Sequence, residues 1–165
     1  MFPGRPAPYV ETDAPSALSE YARAKLDAEG AVAAACPGAV LIRTSLLYDT
    51  VELARVQRDV VDAITGATTT AFFTDEVRCP AHADDVAVAV SRLAGVREVA
   101  GPLHVAGPDA VSRHEFATRT ALLLGLDPAL IRATTLAAAG LVRPGHVVLD
   151  SSRAAALGIR CRPMY

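Results

Sequence analysis

The feature of this sequence that most restricts its fold is a near-continuous apolar run, AVLIRTSLLY, over residues 39–48. Such a run is typical of a strand that is covered on both faces, as in a parallel sheet flanked by helices. Apolar residues at spacings of three and four occur both before and after the run. This spacing predicts a helix on each side of the strand, so the chain starts as helix, strand, helix.

Capping residues mark where these two helices begin and end. The first helix starts at Ser16 or Ser19 and stops before a Pro-Gly pair. The second starts at Asp49 or Thr50 and ends at Gly66, because glycine suits the left-handed residue that follows a helix. The residues before the first helix contain four prolines and predict an irregular lead-in.

The rest of the chain continues the alternation of strands and helices. Short β-branched or apolar runs predict strands at residues 68–73, 103–106 and 147–149, with a polar loop at 74–83. Helical spacing and caps predict three further helices, at 86–93 after Asp84 and Asp85, from the Ser112/Glu115 capping box to Gly125, and from Asp150 or Ser151 to Gly158. The pattern predicts a single α/β domain over residues 1–165, built as a partial doubly wound, Rossmann-like sheet.

Composition excludes several classes of protein. The 165 residues are 52% apolar and 21% charged with a formal net charge of -2, which rules out a disordered chain and disfavours nucleic-acid binding through a basic patch. Cys36, Cys79 and Cys161 form no CxxC pair, so neither a disulfide framework nor a thiolate zinc site is indicated. No apolar run is long enough for a membrane span, and we expect a cytoplasmic protein without a membrane partner.

Tyr21 and Lys25 are the strongest candidates for chemistry. Four residues apart on the predicted helix, they place a phenol and an ammonium group on one side. A nearby cation stabilises phenolate and lowers the pKa of a tyrosine toward the working range, so that the phenol can exchange a proton with an alcohol or ketone oxygen. On spacing alone, a surface cation beside a half-buried ring remains the alternative.

Arg43 and His82 are weaker candidates. A guanidinium within an apolar strand needs an internal carboxylate or a substrate group as its partner, and the sequence leaves both open. His82 precedes Asp84 and Asp85, but helix capping explains the two aspartates and no second histidine has ligand spacing. We therefore predict no metal site.

Several stretches, in order, resemble the extended short-chain dehydrogenase/reductases of the dTDP-4-dehydrorhamnose reductase type. FPGRPAPYVETDAP followed by SEYARAKLDAE resembles the segment that leads into the family's Tyr-x-x-x-Lys helix, and AVLIRTSLLY resembles the next strand. FFTDEVRCPAHADDVA, LHVAGPDAVSRHEFA and VVLDSSRAAALGI are similar to the family's later segments. The resemblance covers nearly the whole chain.

The resemblance implies an NAD(P)-dependent reductase or epimerase acting on a 4-keto sugar nucleotide. It implies that Tyr21 is the acid–base residue and that Lys25 holds the nicotinamide ribose and lowers the pKa of the tyrosine. Tyr21 is also implied to contact the cofactor. The other implied contacts are Thr44, Ser45 and Leu46 with the cofactor, and Arg43, Arg78 and His82 with the substrate.

The sequence departs from the family because it contains no G-x-G-x-x-G or G-x-x-G-x-x-G motif. That motif holds the cofactor pyrophosphate at a helix N-terminus, so we expect this chain to be inactive alone and to bind NAD(P) weakly. Removal of a nucleotide-binding half also leaves an uncovered sheet edge, which favours self-association or a partner that supplies the half. Two alternatives remain: a non-catalytic sugar-nucleotide-binding or regulatory module, and a fragment of a misannotated or broken gene.

Overall fold

The computed structural model describes residues 2–96 and 98–165 and confirms the α/β class. The helices are α1 (Glu20–Ala35), α2 (Arg55–Ile64), α3 (Ala83–Leu93), α4 (Arg113–Leu123) and α5 (Ser152–Ala156), with a 3-10 turn at Pro128–Leu130. The strands are β1 (Val40–Arg43), β2 (Leu47–Tyr48), β3 (Phe72–Phe73), β4 (Val77–Arg78), β5 (Ala81–His82), β6 (Gly101–His104), β7 (Val111–Ser112) and β8 (Ala133–Thr134).

The strands associate in pairs that are distant in the chain. β1 runs parallel to β6 with Arg43 opposite His104, and β2 runs parallel to β5 with Tyr48 opposite His82. β3 and β8 are also parallel, whereas β4 and β7 are antiparallel. The predicted strand at 39–48 is therefore two short strands, because the chain leaves β6 after Arg43 and reaches β5 at Leu47.

Helix starts show where local capping signals hold and where they do not. Ser19 caps α1 and Ser112 caps α4, each through its hydroxyl oxygen. α2 begins at Arg55, later than predicted, because Gln57 Oε1 accepts from the amides of Asp49 and Ala54 and holds the intervening residues in a turn.

Three other expectations need correction. The predicted polar loop at 74–83 contains β4 and β5. The run at 147–149 forms no strand, although Leu149 forms an isolated bridge with Tyr9 of the lead-in. α3 is capped by His82, whose Nδ1 accepts from the amide of Asp84, and the two aspartates predicted as caps lie inside the first turn.

Four clusters of buried residues form the core. One lies around β6 and α3 and contains Leu103, which is fully buried, and another surrounds Phe116 of α4, which is 1% exposed. The remaining two centre on Phe72 and on Phe2. None of the helices in the described ranges is both long and apolar enough to cross a membrane.

α1 is the least covered helix of the fold. Ala22 is its one buried residue within the described chain, and α1 also contacts the sheet through an ion pair between Glu29 and Arg43. The lead-in runs beside the β1–β6 pair. There the backbone amide of Tyr9 donates to the carbonyl oxygen of Val148, and the carbonyl oxygen of Tyr9 accepts from the amide of Asp150. α1 therefore presents much of its surface outward, next to a well-anchored segment.

Candidate functional site

Tyr21 and Lys25 lie on one side of α1, as their spacing predicts. Lys25 Nζ lies 5.7 Å from the centroid of the Tyr21 ring. Tyr21 is 73% exposed, so its hydroxyl group is open to a ligand. Because Ser19 fixes the start of the helix, the pair occupies the first two turns of α1. The arrangement permits acid–base chemistry at the phenol.

These two side chains border a cleft of about 770 Å³, which is large enough for a nucleotide-sized ligand. Most of the polar residues predicted for the site also line it. They are Arg43, Thr44, Ser45 and Arg78, and the cleft also includes Leu46, Glu29, Glu76 and Arg143. The structure therefore brings the predicted acid–base pair and all the predicted binding residues except His82 to a single cleft.

Arg43 has an internal carboxylate partner, which was one of its two predicted alternatives. Its Nε and Nη2 donate to the two carboxylate oxygens of Glu29 at 2.8 and 3.1 Å. The two side chains are 9% and 14% exposed. Its Nη1 is buried and has no acceptor among residues 2–96 and 98–165.

The segment between β1 and β2 presents three predicted cofactor contacts. Thr44 is exposed, with a hydroxyl that can serve a ligand. Ser45 Oγ accepts from the amide of Cys79 at 3.2 Å, and Leu46 oxygen accepts from Ala81 at 2.8 Å. These two hydrogen bonds fix the segment against the start of β5. Burial raises the pKa of the neighbouring Cys79 thiol.

A second charged group in the cleft consists of Glu76 with Arg78 and Arg143. Glu76 forms ion pairs with both arginines, at 3.1 and 3.6 Å. Arg78 also donates to the oxygens of Val77, Pro144 and Gly145, and burial lowers its pKa. Arg143 makes the longer ion pair and is 53% exposed at its side chain, so its guanidinium is the more accessible of the two.

His82 does not line this cleft. It is 2% exposed, caps α3 and packs edge-on against Tyr48 with ring centroids 5.2 Å apart. Its Nε2 lies 3.4 Å from the hydroxyl of Thr50. The predicted substrate contact at His82 therefore has no support from its position, since both ring nitrogens face protein groups.

Sequence patterns do not predict two residues of the site, Glu29 and Arg143. Glu29 lies one further turn along α1 from Lys25, and that spacing of four was the signal that could have placed it on the same face. Arg143 precedes a Pro-Gly turn in a segment without periodicity. No local pattern marks it, because its neighbours in the cleft are distant in sequence.

Comparison with known proteins matches the RmlD substrate binding domain to residues 1–165. A dTDP-4-dehydrorhamnose reductase from Sinorhizobium fredii is 33% identical over 124 residues, covering 71% of this chain and 42% of that protein. The methionine adenosyltransferase 2 subunit beta of Rattus norvegicus is 32% identical over 173 residues, covering 100% of this chain and 52% of that protein. The chain thus spans about half the length of these curated relatives.

A solved structure shows the same fold. The dTDP-4-dehydrorhamnose reductase from Bacillus anthracis, in complex with NADP, superposes with a TM-score of 0.82 at 19% identity, over 98% of this chain and 58% of that one. This similarity confirms the Rossmann-like α/β class. The family match over the full sequence confirms the resemblance first drawn from the motifs, and the chain belongs to the family of RmlD substrate binding domains.

Proposed function

We propose that this chain is the substrate-binding portion of an NAD(P)-dependent reductase or epimerase that acts on a 4-keto sugar nucleotide. The observation that carries the proposal is the single cleft, in which Tyr21 and Lys25 occur together with Arg78 and Arg143. An acid–base group suits a sugar ketone, and guanidinium groups suit a diphosphate.

The cofactor fits one side of this cleft only in part. Lys25 and Thr44 offer an ammonium and a hydroxyl group for the ribose and the carboxamide of a nicotinamide nucleotide. The sequence lacks the glycine motif that would hold the pyrophosphate. When bound, NAD(P)H supplies a hydride, and a separate nucleotide-binding portion is needed to hold it tightly.

The chain's own part in the reaction is proton transfer. As the ketone carbon is reduced, Tyr21 Oη donates its proton to the oxygen that becomes an alcohol. Lys25 lies beside it on the same side of α1, with Nζ 5.7 Å from the centroid of the Tyr21 ring. In the reverse direction the phenolate takes the proton back.

The diphosphate of the substrate is assigned to Arg143, with Arg78 adding positive charge from a fixed position. Arg78 already donates to three carbonyl oxygens, so its donor groups are largely occupied. Arg143 is free to turn its guanidinium toward a ligand, since its one ion pair in the described chain is long. Two guanidiniums and one carboxylate, Glu76, leave this part of the cleft positive.

Arg143→Ala is therefore expected to weaken binding of dTDP-glucose by at least about tenfold, because charge-assisted hydrogen bonds to a phosphate contribute roughly 1.5–3 kcal/mol. Isothermal titration calorimetry at fixed salt measures the Kd of the wild-type chain and the variant. Arg160→Ala is the matched control, since Arg160 is exposed and lies outside the residues that line the cleft. Equal losses in the two variants would contradict a specific diphosphate site.

The open edge of β1 and the exposed helix α1 offer a surface that a nucleotide-binding portion could contact. Among the described residues β1 pairs with β6 alone, so its other edge is open, and α1 beside it is largely exposed. The relatives are about twice as long as this chain, which supports a further segment of that size. We infer that this edge and helix contact the portion that holds the cofactor, whether in the same polypeptide or in a partner.

A second candidate function is a non-catalytic subunit that keeps the sugar-nucleotide cleft. The relative named as a subunit of methionine adenosyltransferase, which this chain matches along its whole length, supports it. Under the reductase proposal, reduced-nicotinamide fluorescence should change weakly at high protein concentration, and Lys25→Ala should abolish the change. A flat trace for the wild-type chain at every concentration, with dTDP-glucose still bound, would favour the non-catalytic subunit.

A further inference from the structure

We propose that His104 makes the lead-in, residues 2–13, an acid-sensitive strap. When the buried imidazole takes up a proton, the strap leaves the sheet and Phe2 leaves the wall of the cleft. This inference does not depend on which ligand the cleft binds. His104 lies on β6, and β1 separates β6 from the open edge assigned above to a nucleotide-binding portion.

His104 contacts the strap at three residues. Its Nδ1 lies 3.1 Å from the carbonyl oxygen of Tyr9, and its backbone amide donates to Glu11 Oε1 at 3.0 Å. The Phe2 ring packs against the imidazole in a T-shaped arrangement, with ring centroids 5.9 Å apart. His104 itself is 0% exposed, so the docked strap and the strands around it seal the ring from water.

The hydrogen bonds of the ring determine its protonation state while the strap is docked. A carbonyl oxygen can only accept, so Nδ1 of His104 carries a proton toward Tyr9. Nε2 is buried and has no hydrogen-bond partner within residues 2–96 and 98–165. A second proton on Nε2 would have no acceptor, and its charge would be shut off from water. The docked strap therefore requires a neutral imidazole.

Charged side chains on the strap, on β1 and after Leu149 act on His104 from a distance. They are Glu11, Asp13, Arg43 and Asp150. The three carboxylates favour a charged imidazole and Arg43 opposes it, but none of the four is a partner of Nε2. Asp13 is already paired with Arg5, and Asp150 accepts from the amide of Ser152. Burial is the largest effect and lowers the pKa of His104 below its usual 6.5.

The direction of the pH dependence follows from the two states of the strap. Release exposes the imidazole of His104 to water, where its pKa returns to 6.5. Above this pH the ring is neutral in both states, so docking does not depend on pH. Below pH 6.5 the released state takes up a proton more readily than the docked state. The ratio of released to docked strap therefore rises by up to about tenfold per pH unit, until the lower pKa of the docked state is reached.

Release of the strap changes the cleft because Phe2 belongs to both. Phe2 lines the cleft, and its ring stacks on Tyr9 with centroids 4.2 Å apart. Both rings are buried in one cluster with Leu149, so they leave the sheet together when the strap is released. Acid thereby opens one wall of the cleft without any change at α1.

The test follows Phe2 by fluorine NMR in the full chain labelled with para-fluorophenylalanine. The four phenylalanines give four signals, and Phe2→Leu identifies the signal of Phe2. In the wild-type chain a second Phe2 signal, with the shift of a solvent-exposed ring, should grow as the pH falls from about 7.5 to about 5, by up to about tenfold per pH unit. His104→Asn keeps a neutral amide donor for the Tyr9 oxygen and cannot be charged, so its released fraction should not change with pH.

His146→Asn is the matched control. His146 also holds the strap, with Nδ1 2.9 Å from the carbonyl oxygen of Arg5, but it is partly exposed and its charge can be hydrated. This variant should keep the acid response of the wild-type chain, and loss of the response in His146→Asn alone would overturn the role of His104.

Two further outcomes also overturn the inference: a single Phe2 signal down to about pH 5, or an acid response that His104→Asn retains. Should His104→Asn fail to fold, the imidazole signals of the wild-type chain replace it, since their titration gives the pKa of His104 in the docked state. A pKa below 6.5, with the released Phe2 signal growing in the same range, supports the inference, and a pKa of 6.5 or above overturns it.

Discussion

Gly107→Ala is expected to lower the melting temperature by roughly 10 °C, because the new methyl group has no space. A Cβ atom at residue 107 would lie 1.8 Å from the carbonyl oxygen of Pro80 and 2.9 Å from its carbon. These are backbone atoms, which cannot rotate away, and Pro80 itself is buried. We estimate a loss of about 3 kcal/mol in the free energy of unfolding, at the upper end for an overpacked site. Differential scanning calorimetry measures the change.

Gly30→Ala provides a control of opposite sign. Gly30 lies inside α1 and nothing lies within 4 Å of the position its Cβ would take. Since alanine is favoured over glycine in a helix interior by about 1 kcal/mol, this variant should be slightly more stable than the wild-type chain. A Gly107→Ala variant that melts within about 2 °C of the wild-type chain would contradict the close approach of residue 107 to Pro80.

The second large effect is expected at Phe116. Its ring is 1% exposed and packs in a cluster with Tyr48, Val111 and Met164. Phe116→Ala removes buried apolar surface and leaves a cavity, for which losses of about 3–5 kcal/mol are typical. Urea denaturation, followed by circular dichroism, should show a lower midpoint and a free energy of unfolding that is reduced by that amount.

Leu122→Ala is the matched control for Phe116, since it lies on the same helix and is 62% exposed. Its apolar contacts are few, so we expect a change of at most about 0.5 kcal/mol. A comparable loss in both variants would indicate that α4 packs with a different face. The difference between the two variants thus measures the packing of this cluster directly.

Local signals explain which parts of the fold the sequence predicts. The Ser19 cap of α1, the Ser112 cap of α4 and the left-handed Gly66 after α2 (φ +79°) depend on residues a few positions apart. Strand lengths depend on partners far away, as the pairing of β1 with β6 and of β2 with β5 shows. The capping box is half formed, because the Glu115 carboxylate pairs with Arg119 instead.

In the candidate site, too, the sequence predicts contacts between residues that are close in the chain and misses contacts between distant ones. The Tyr21 and Lys25 pair is visible in the sequence because both residues belong to one helix. The sequence leaves the partner of Arg43 open, because Glu29 precedes it by fourteen residues and reaches it only after the helix folds back onto β1. Arg143 reaches the site through an ion pair with Glu76, more than sixty positions earlier in the chain, and no spacing pattern reports such a contact.

The position of Lys25 has a practical consequence, because it is the one lysine in the sequence and it lines the cleft. Amine-selective reagents therefore address a single ε-amino group, and reductive methylation with isotope-labelled formaldehyde would attach a spectroscopic reporter beside Tyr21. Such a label gives access to ligand occupancy in solution without introducing a foreign residue.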